Sequence, residues 1–225
     1  GKANDRCNRP TLAIKYLQKA HELSPTTTNI ILNLGKALHD VGRIEEAIDA
    51  LSPAAQESIG NHILWSNLLM LHQYTNKCSR EERFKLHQIW ANKIESETKP
   101  MPMLNPSLED PNKVLRIGLV SADLREHPVG YFLKPILENL PPDICFYGYH
   151  NTAHYDDLSQ FFKKSCAGWR EIHTLKTHEV AEQIHNDQID ILFDLAGHTS
   201  GNRLPIFAMK PAPLQITGFG YVDTT

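Results

Sequence analysis

The sequence predicts an α + α/β chain, with helical repeats followed by a domain built on a parallel β-sheet. Three observations predict it. Small and apolar residues recur 34 positions apart in the first third. Four prolines, Pro100, Pro102, Pro106 and Pro111, then interrupt residues 96–113. From Val114 onward, short apolar runs alternate with helical patterns, the signature of a parallel sheet covered on both faces.

The bulk numbers set the frame. The 225 residues are 41% hydrophobic, enough for one large or two smaller domains with a real core. A formal charge of −3 gives no strong field for nucleic acid or acidic lipid, so neither is expected as a partner. No apolar run approaches a membrane span. Cys7, Cys78, Cys145 and Cys166 form no C-x-x-C pair, and no secretory signal is visible. They read as reduced thiols, and the expected location is the cytoplasm, extended to the nucleus for a eukaryotic source. The chain starts at Gly1 and stops at Thr224-Thr225, so it reads as a fragment.

Ala13, Leu17 and Ala20 recur as Ala47, Leu51 and Ala54, and Ile31, Leu34 and Leu38 as Trp65, Leu68 and His72. Gly35 falls between the two helices' apolar residues, and Pro25 closes the first unit. This resembles the tetratricopeptide repeat, in which small residues let paired helices approach and large ones fill the seam. Helices are expected at about 10–23, 28–41, 44–57 and 61–75. The third copy decays, with Leu69 in place of the glycine. Such an array is either a spacer or a concave surface for proteins, and it needs more repeats before residue 1 or support from the next domain. Residues 1–76 form this part. Residues 77–113 connect it onward: Ser79 and Glu82 form a capping box, and Leu86, Ile89, Trp90 and Ile94 share one face of the helix they open. The proline-rich linker follows.

Residues 114–225 form the α/β part. Strand 114–121 leads through a loop to a helix starting near Pro128, which Pro135 kinks or delays. Strand Ile144–Tyr149, helix 156–164 and strand Trp169–His173 follow. Thr177 caps a helix running to Asn186. Ile189–Ala196 reads as a buried strand, Gly197–Asn202 as a loop, Arg203–Met209 as a short helix and Leu214–Thr217 as a last strand. Neither G-x-G-x-x-G after the first strand nor G-x-x-x-x-G-K-[ST] occurs.

Candidate chemistry gathers where strands end. His127 directly precedes Pro128, which suits the first turn of a helix. A helix N-terminus attracts phosphate and lowers a nearby histidine's pKa, so His127 is a candidate general base. A lone histidine there is also an ordinary turn residue. Asp194 and the Gly197-His198-Thr199 loop end another strand on the same sheet edge, where open α/β sheets bind ligands. His185 sits on the opposite edge and reads as structural. His150 and His154 have metal-ligand spacing but no third ligand, so no metal is expected.

Three stretches together carry a resemblance: Arg116–Asp123 with His127, Asp190–Thr199, and Lys210-Pro211-Ala212-Pro213-Leu214-Gln215-Ile216-Thr217 running into Gly220-Tyr221. Behind such repeats they resemble the O-linked N-acetylglucosamine transferase family. The resemblance implies a GT-B architecture of two Rossmann-like domains, of which residues 114–225 would be the first half. It implies metal-free, inverting transfer of a sugar from a nucleotide diphosphate donor to Ser or Thr of protein acceptors. UDP-N-acetylglucosamine is the expected donor and GDP-fucose, used by a plant branch, the alternative. His127 matches the proposed base, acting directly or through water. Asp123 and Asp194 would orient, and Gly197, His198 and Thr199 would contact sugar or phosphate. Gly218 and Val222 stand where the family often has Trp and Pro. Without the second Rossmann-like half, the 225 residues are expected to transfer nothing alone. The competing reading is a repeat-based interaction module whose α/β part is only scaffold.

Overall fold

The computed structural model describes residues 10–58, 60–104 and 113–225. The chain divides into two compact units between Lys93 and Ile94.

In the first unit, α1 (Pro10–Leu23), α2 (Thr28–Asp40), α3 (Ile44–Glu57) and α4 (His62–Leu71) each pack on the next. Positions 34 apart are buried alike: Ala13 with Ala47, Leu17 with Leu51, Ile31 with Trp65. Gly35 allows close approach, because a Cβ there would lie 2.3 Å from Leu51 Cδ1. α4 is shorter than its periodicity suggests and ends at Leu71, where the chain turns. Trp65 donates Nε1–H to the Ala55 carbonyl at 2.8 Å, which satisfies a polar atom that burial would otherwise strand.

α5 (Arg80–Glu97) opens on the expected capping box. Glu82 N–H donates to Ser79 Oγ at 3.1 Å, and Ser79 N–H to Glu82 Oε2 at 2.8 Å. Its buried stripe is His87, Trp90 and Ile94, while Ile89 is exposed. The spacing of three and four from His87 sets that stripe, and Ile89 falls outside it. The stretch after α5 is in part a wrapped segment: Met101 N–H donates to the Met209 carbonyl at 2.7 Å and its side chain joins the second unit's core. Pro106 and Pro111 lie outside the described residues.

The second unit is a five-stranded, wholly parallel sheet of β1 (Leu115–Ser121), β2 (Ile144–His150), β3 (Gly168–Glu171), β4 (Ile191–Asp194) and β5 (Leu214–Thr217), in the order β3-β2-β1-β4-β5. Apolar runs built from Ile, Leu, Val and Phe supply the central strands β1 and β4, whereas the edge strand β5 leaves Leu214 and Ile216 exposed. α6 (Pro128–Glu138) and α7 (Asp157–Ser165) cover one face, burying Val129, Leu133, Leu137 and Phe162 with Leu119 and Phe146. α8 (Thr177–Asn186) and α9 (Leu204–Ala208) cover the other, with Val180, Ile184 and Ile206 against Val120, Tyr149 and Leu192. Helices on both faces of a parallel sheet make this a Rossmann-like unit.

Several boundaries shift. Pro135 neither delays nor ends α6, which runs from Pro128 to Glu138. Thr177 is the first residue of α8 rather than its cap; Lys176 precedes it and donates its N–H to Glu179 Oε2 at 2.7 Å. β4 stops at Asp194: Leu195 N–H still reaches the Val120 carbonyl, but the Asp194 carboxylate takes the N–H groups of Ala196 and Gly197 away from the sheet. Cys78, Cys145 and Cys166 are unpaired thiols. Cys7 lies outside the described residues.

Strand order positions the site. The chain steps outward from β1 to β3 on one side, then returns to lay β4 and β5 on the other. Loops leaving β1 and β4 therefore diverge to opposite faces, and a crevice opens between them at the strands' carboxyl ends.

Candidate functional site

The loop leaving β1 forms one wall of the crevice. Ser121 Oγ accepts from Asp123 N–H at 2.9 Å and folds the chain back as it exits the sheet. Asp123, only 9% exposed, accepts from Arg125 Nη2 at 3.1 Å on Oδ1. Its Oδ2 lies 3.8 Å from His127 Nδ1. His127 is the N-cap of α6, with extended backbone (φ −153°, ψ 153°) and Pro128 next. Its Nδ1 accepts from Val129 N–H at 3.4 Å, a long bond. A neutral ring in that role carries its proton on Nε2. About a third of the side chain is exposed.

The loop leaving β4 is built differently. Asp194 is 1% exposed, and its carboxylate accepts from Ala196 N–H (3.1 Å), Gly197 N–H (2.8 Å) and Thr217 Oγ1 (2.8 Å). Burial raises its pKa above the usual carboxylate value, while those three donors pull the other way. Gly197 adopts φ +55°, and a Cβ there would lie 2.2 Å from Tyr221 Cβ. His198 is 2% exposed, with its ring 5.3 Å from Tyr221's, edge-on.

Between the loops lies a cavity of about 440 Å³. Asp123, Arg125 and His127 line it from the β1 side, Asn151 and Thr152 from the end of β2, and Thr199, Ser200 and Gly201 from the β4 side. So the structure brings together three of the six expected residues: His127, Asp123 and Thr199. Asp194, expected beside His127 in the catalytic set as a residue that orients, is not on the cavity wall. Its carboxylate is spent on its own loop and on β5. Gly197 and His198, expected to contact sugar or phosphate, lie beneath the rim against Tyr221. Asn151 and Thr152 escaped the sequence reading, although the strand that carries them was recognised. What placed them was pairing of β2 beside β1, which ranges Ser121 against His150. No group of three or more His, Cys, Asp or Glu side chains placed to hold a metal ion occurs among the described residues.

His150, beside the site, is fully buried against Tyr155 and Trp169. Its Nε2 lies 3.1 Å from the His154 carbonyl, so Nε2–H donates and Nδ1 is left without a partner. Burial lowers its pKa, offset in part by the His154 carbonyl and Glu171. His150 is thus a buried packing residue, while the His154 side chain is exposed.

A family model, Glycosyl transferase family 41, matches residues 63–225. The chain belongs to glycosyl transferase family 41. It is 29% identical over 164 residues to the probable UDP-N-acetylglucosamine–peptide N-acetylglucosaminyltransferase SPINDLY of Arabidopsis thaliana, covering 71% of this chain and 18% of that protein. The barley (Hordeum vulgare) counterpart is 31% identical over 165 residues, covering 71% and 17%. A mutant O-GlcNAc transferase of Thermobaculum terrenum superposes with a TM-score of 0.86 at 34% identity, covering 96% of this chain and 42% of that one. The chain thus spans less than a fifth of these curated relatives. Within this family 41 chain, Phe219 adopts φ +66° between Gly218 and Gly220. Its ring lies 6.2 Å from Phe132 and 5.6 Å from Phe193, an aromatic ledge at the crevice's end.

Proposed function

We propose that this chain supplies one wall of the active-site cleft of a protein O-glycosyltransferase, moving N-acetylglucosamine from UDP-N-acetylglucosamine to Ser or Thr hydroxyls with inversion. Family membership supports a glycosyltransferase. The observation that carries the site is the His127–Asp123 pair at the switch point of the sheet, opening on a cavity. In this reading His127 Nε2 takes the proton of the acceptor hydroxyl. The acceptor oxygen bonds to the sugar's anomeric carbon from the face opposite the leaving diphosphate, whose bond to that carbon breaks. For Nε2 to accept, Nδ1 must carry the ring's proton. It then donates to Asp123 Oδ2, exchanging the Val129 cap bond for the carboxylate, and Arg125 holds that carboxylate in place. A water between Nε2 and the acceptor relays the same proton once Nε2 has given up its own hydrogen to Nδ1.

The acid–base work rests on side chains, so no metal is invoked. Among the described residues Arg125 is the one Lys or Arg lining the cavity and is paired with Asp123, which leaves the diphosphate to be held by a second unit. The 225 residues alone are accordingly proposed to be inactive. The 34-residue repeat is proposed to be of tetratricopeptide type, presenting protein acceptors to the cleft.

The test offers UDP-N-acetylglucosamine and GDP-fucose to a Ser/Thr-rich peptide pool with the longer gene product and reads peptide mass. A gain with one donor, abolished by His127→Asn, supports the site and fixes the sugar. No gain with either donor overturns the reading in favour of an interaction module. Turnover by the 225 residues alone overturns the two-unit part.

A further inference from the structure

Arg203 is a half-buried guanidinium with no acidic partner among the described residues. Its Nη2 donates to the Leu175 carbonyl at 2.9 Å, and its Nη1 to the Ile172 carbonyl and to Asn151 Oδ1, both at 3.4 Å. Burial lowers its pKa, as expected for a cation balanced only by neutral acceptors. Asn151 in turn donates Nδ2–H to the Gly201 carbonyl at 2.8 Å, and its backbone N–H to the Ser121 carbonyl at 2.8 Å. One network thus joins the loops leaving β1, β2, β3 and β4.

Its consequence is chemical. An amide side chain has two ends of similar shape, and which end faces which way follows from its partners. Arg203 can only donate, so it takes the oxygen of Asn151. The Gly201 carbonyl can only accept, so it takes one amide hydrogen. Asn151 lines the cavity, and what remains to offer there is the second hydrogen of Nδ2. Its neighbours on that side are Thr152, Thr199, Ser200 and Gly201, all neutral. The ionic groups, Asp123 and Arg125, answer each other with His127 on the opposite wall.

We propose that Asn151 is a ligand-binding residue whose amide N–H receives an oxygen of a neutral, hydroxyl-bearing group, and that Arg203 is the positioning residue that fixes its polarity. The assignment rests on the transferase reading for its two candidate ligands, a sugar and a hydroxyl amino acid of an acceptor. A diphosphate does not fit a wall without a free cation.

The deciding experiment follows the Asn151 side-chain amide by ¹H–¹⁵N NMR in the 225-residue chain. The probes are N-acetylglucosamine, a capped threonine tripeptide and uridine diphosphate. The Nδ2 resonances are expected to move with the sugar or the tripeptide, and which of the two moves them names the source. Asn151→Asp keeps the Arg203 contact as an ion pair and removes the donor. It also gives up the Gly201 bond, so its melting temperature is read alongside, and it should weaken the effective ligand roughly tenfold. Arg203→Lys should weaken it less, because the Asn151 donor is kept, and should broaden or double the Asn151 resonances, because the lysine cannot bridge the loops. Movement with uridine diphosphate alone, no movement with any probe, or unchanged affinity in Asn151→Asp overturns the proposal. The unsubstituted protein's resonances decide it even if a variant fails to fold. If Asn151 fails these tests while His127→Asn still abolishes transfer in the longer protein, only the Asn151 assignment falls.

Discussion

Two loops leave the same sheet edge, and their hydrogen bonding differs in kind. The β1 loop holds His127 by one 3.4 Å cap bond and one 3.8 Å approach to Asp123, with the ring partly exposed. The β4 loop holds Asp194 by three bonds of 2.8–3.1 Å, fully buried. Loose, exposed contacts leave a side chain able to change partners during a reaction. Saturated, buried contacts leave it able only to hold. The difference separates chemistry from scaffold among residues of equal polarity.

The sharpest way to test that contrast is to substitute each loop's central residue. His127→Asn keeps a good N-cap, so thermal unfolding should hardly change, while transfer by the longer protein should fall about 10²- to 10⁴-fold. A large loss of melting temperature would mean that the histidine is structural. Asp194→Ala should do the reverse, removing about 3 kcal/mol of stability by orphaning two buried N–H groups and a hydroxyl, as read by urea unfolding. A stability change under 1 kcal/mol would break the comparison. Gly197→Ala comes next, at about 2 kcal/mol, from the left-handed backbone and the Tyr221 contact. The smallest effect concerns His150. Its folded pKa lies below its unfolded value, so it contributes stability above the unfolded pKa, near 6.5, which is lost as pH falls below that value. His150→Gln should flatten the pH dependence of unfolding below that point by up to about 1.4 kcal/mol per pH unit. An unchanged slope would show that the imidazole is protonated in the folded state.

Much of this was legible in the chain itself. Buried parallel strands read as apolar runs, and the His127-Pro128 pair marks a helix start because proline fixes the backbone there. Asp194 was legible as polar but not as buried, because a carboxylate at a strand end can face the cleft or turn back on its own loop. Only the N–H groups of Ala196 and Gly197 decide, and their direction is set by the backbone that leaves Asp194. Asn151 became visible only when β2 paired beside β1, a choice no local pattern encodes. Ile89 misled for a related reason: with apolar residues on neighbouring faces, the stripe chosen by packing was the one containing His87.

Asp156 caps α7 by accepting from Ser159 N–H at 2.8 Å, and with its other oxygen accepts from Glu126 N–H at the same distance. One carboxylate therefore ties the start of a helix to the residue before His127. The amide hydrogens of Glu126 and Ser159 should exchange with solvent in a single opening event, although 33 positions separate them. The segment that carries His127 would then open together with the start of α7, and release of the one would be felt at once by the other.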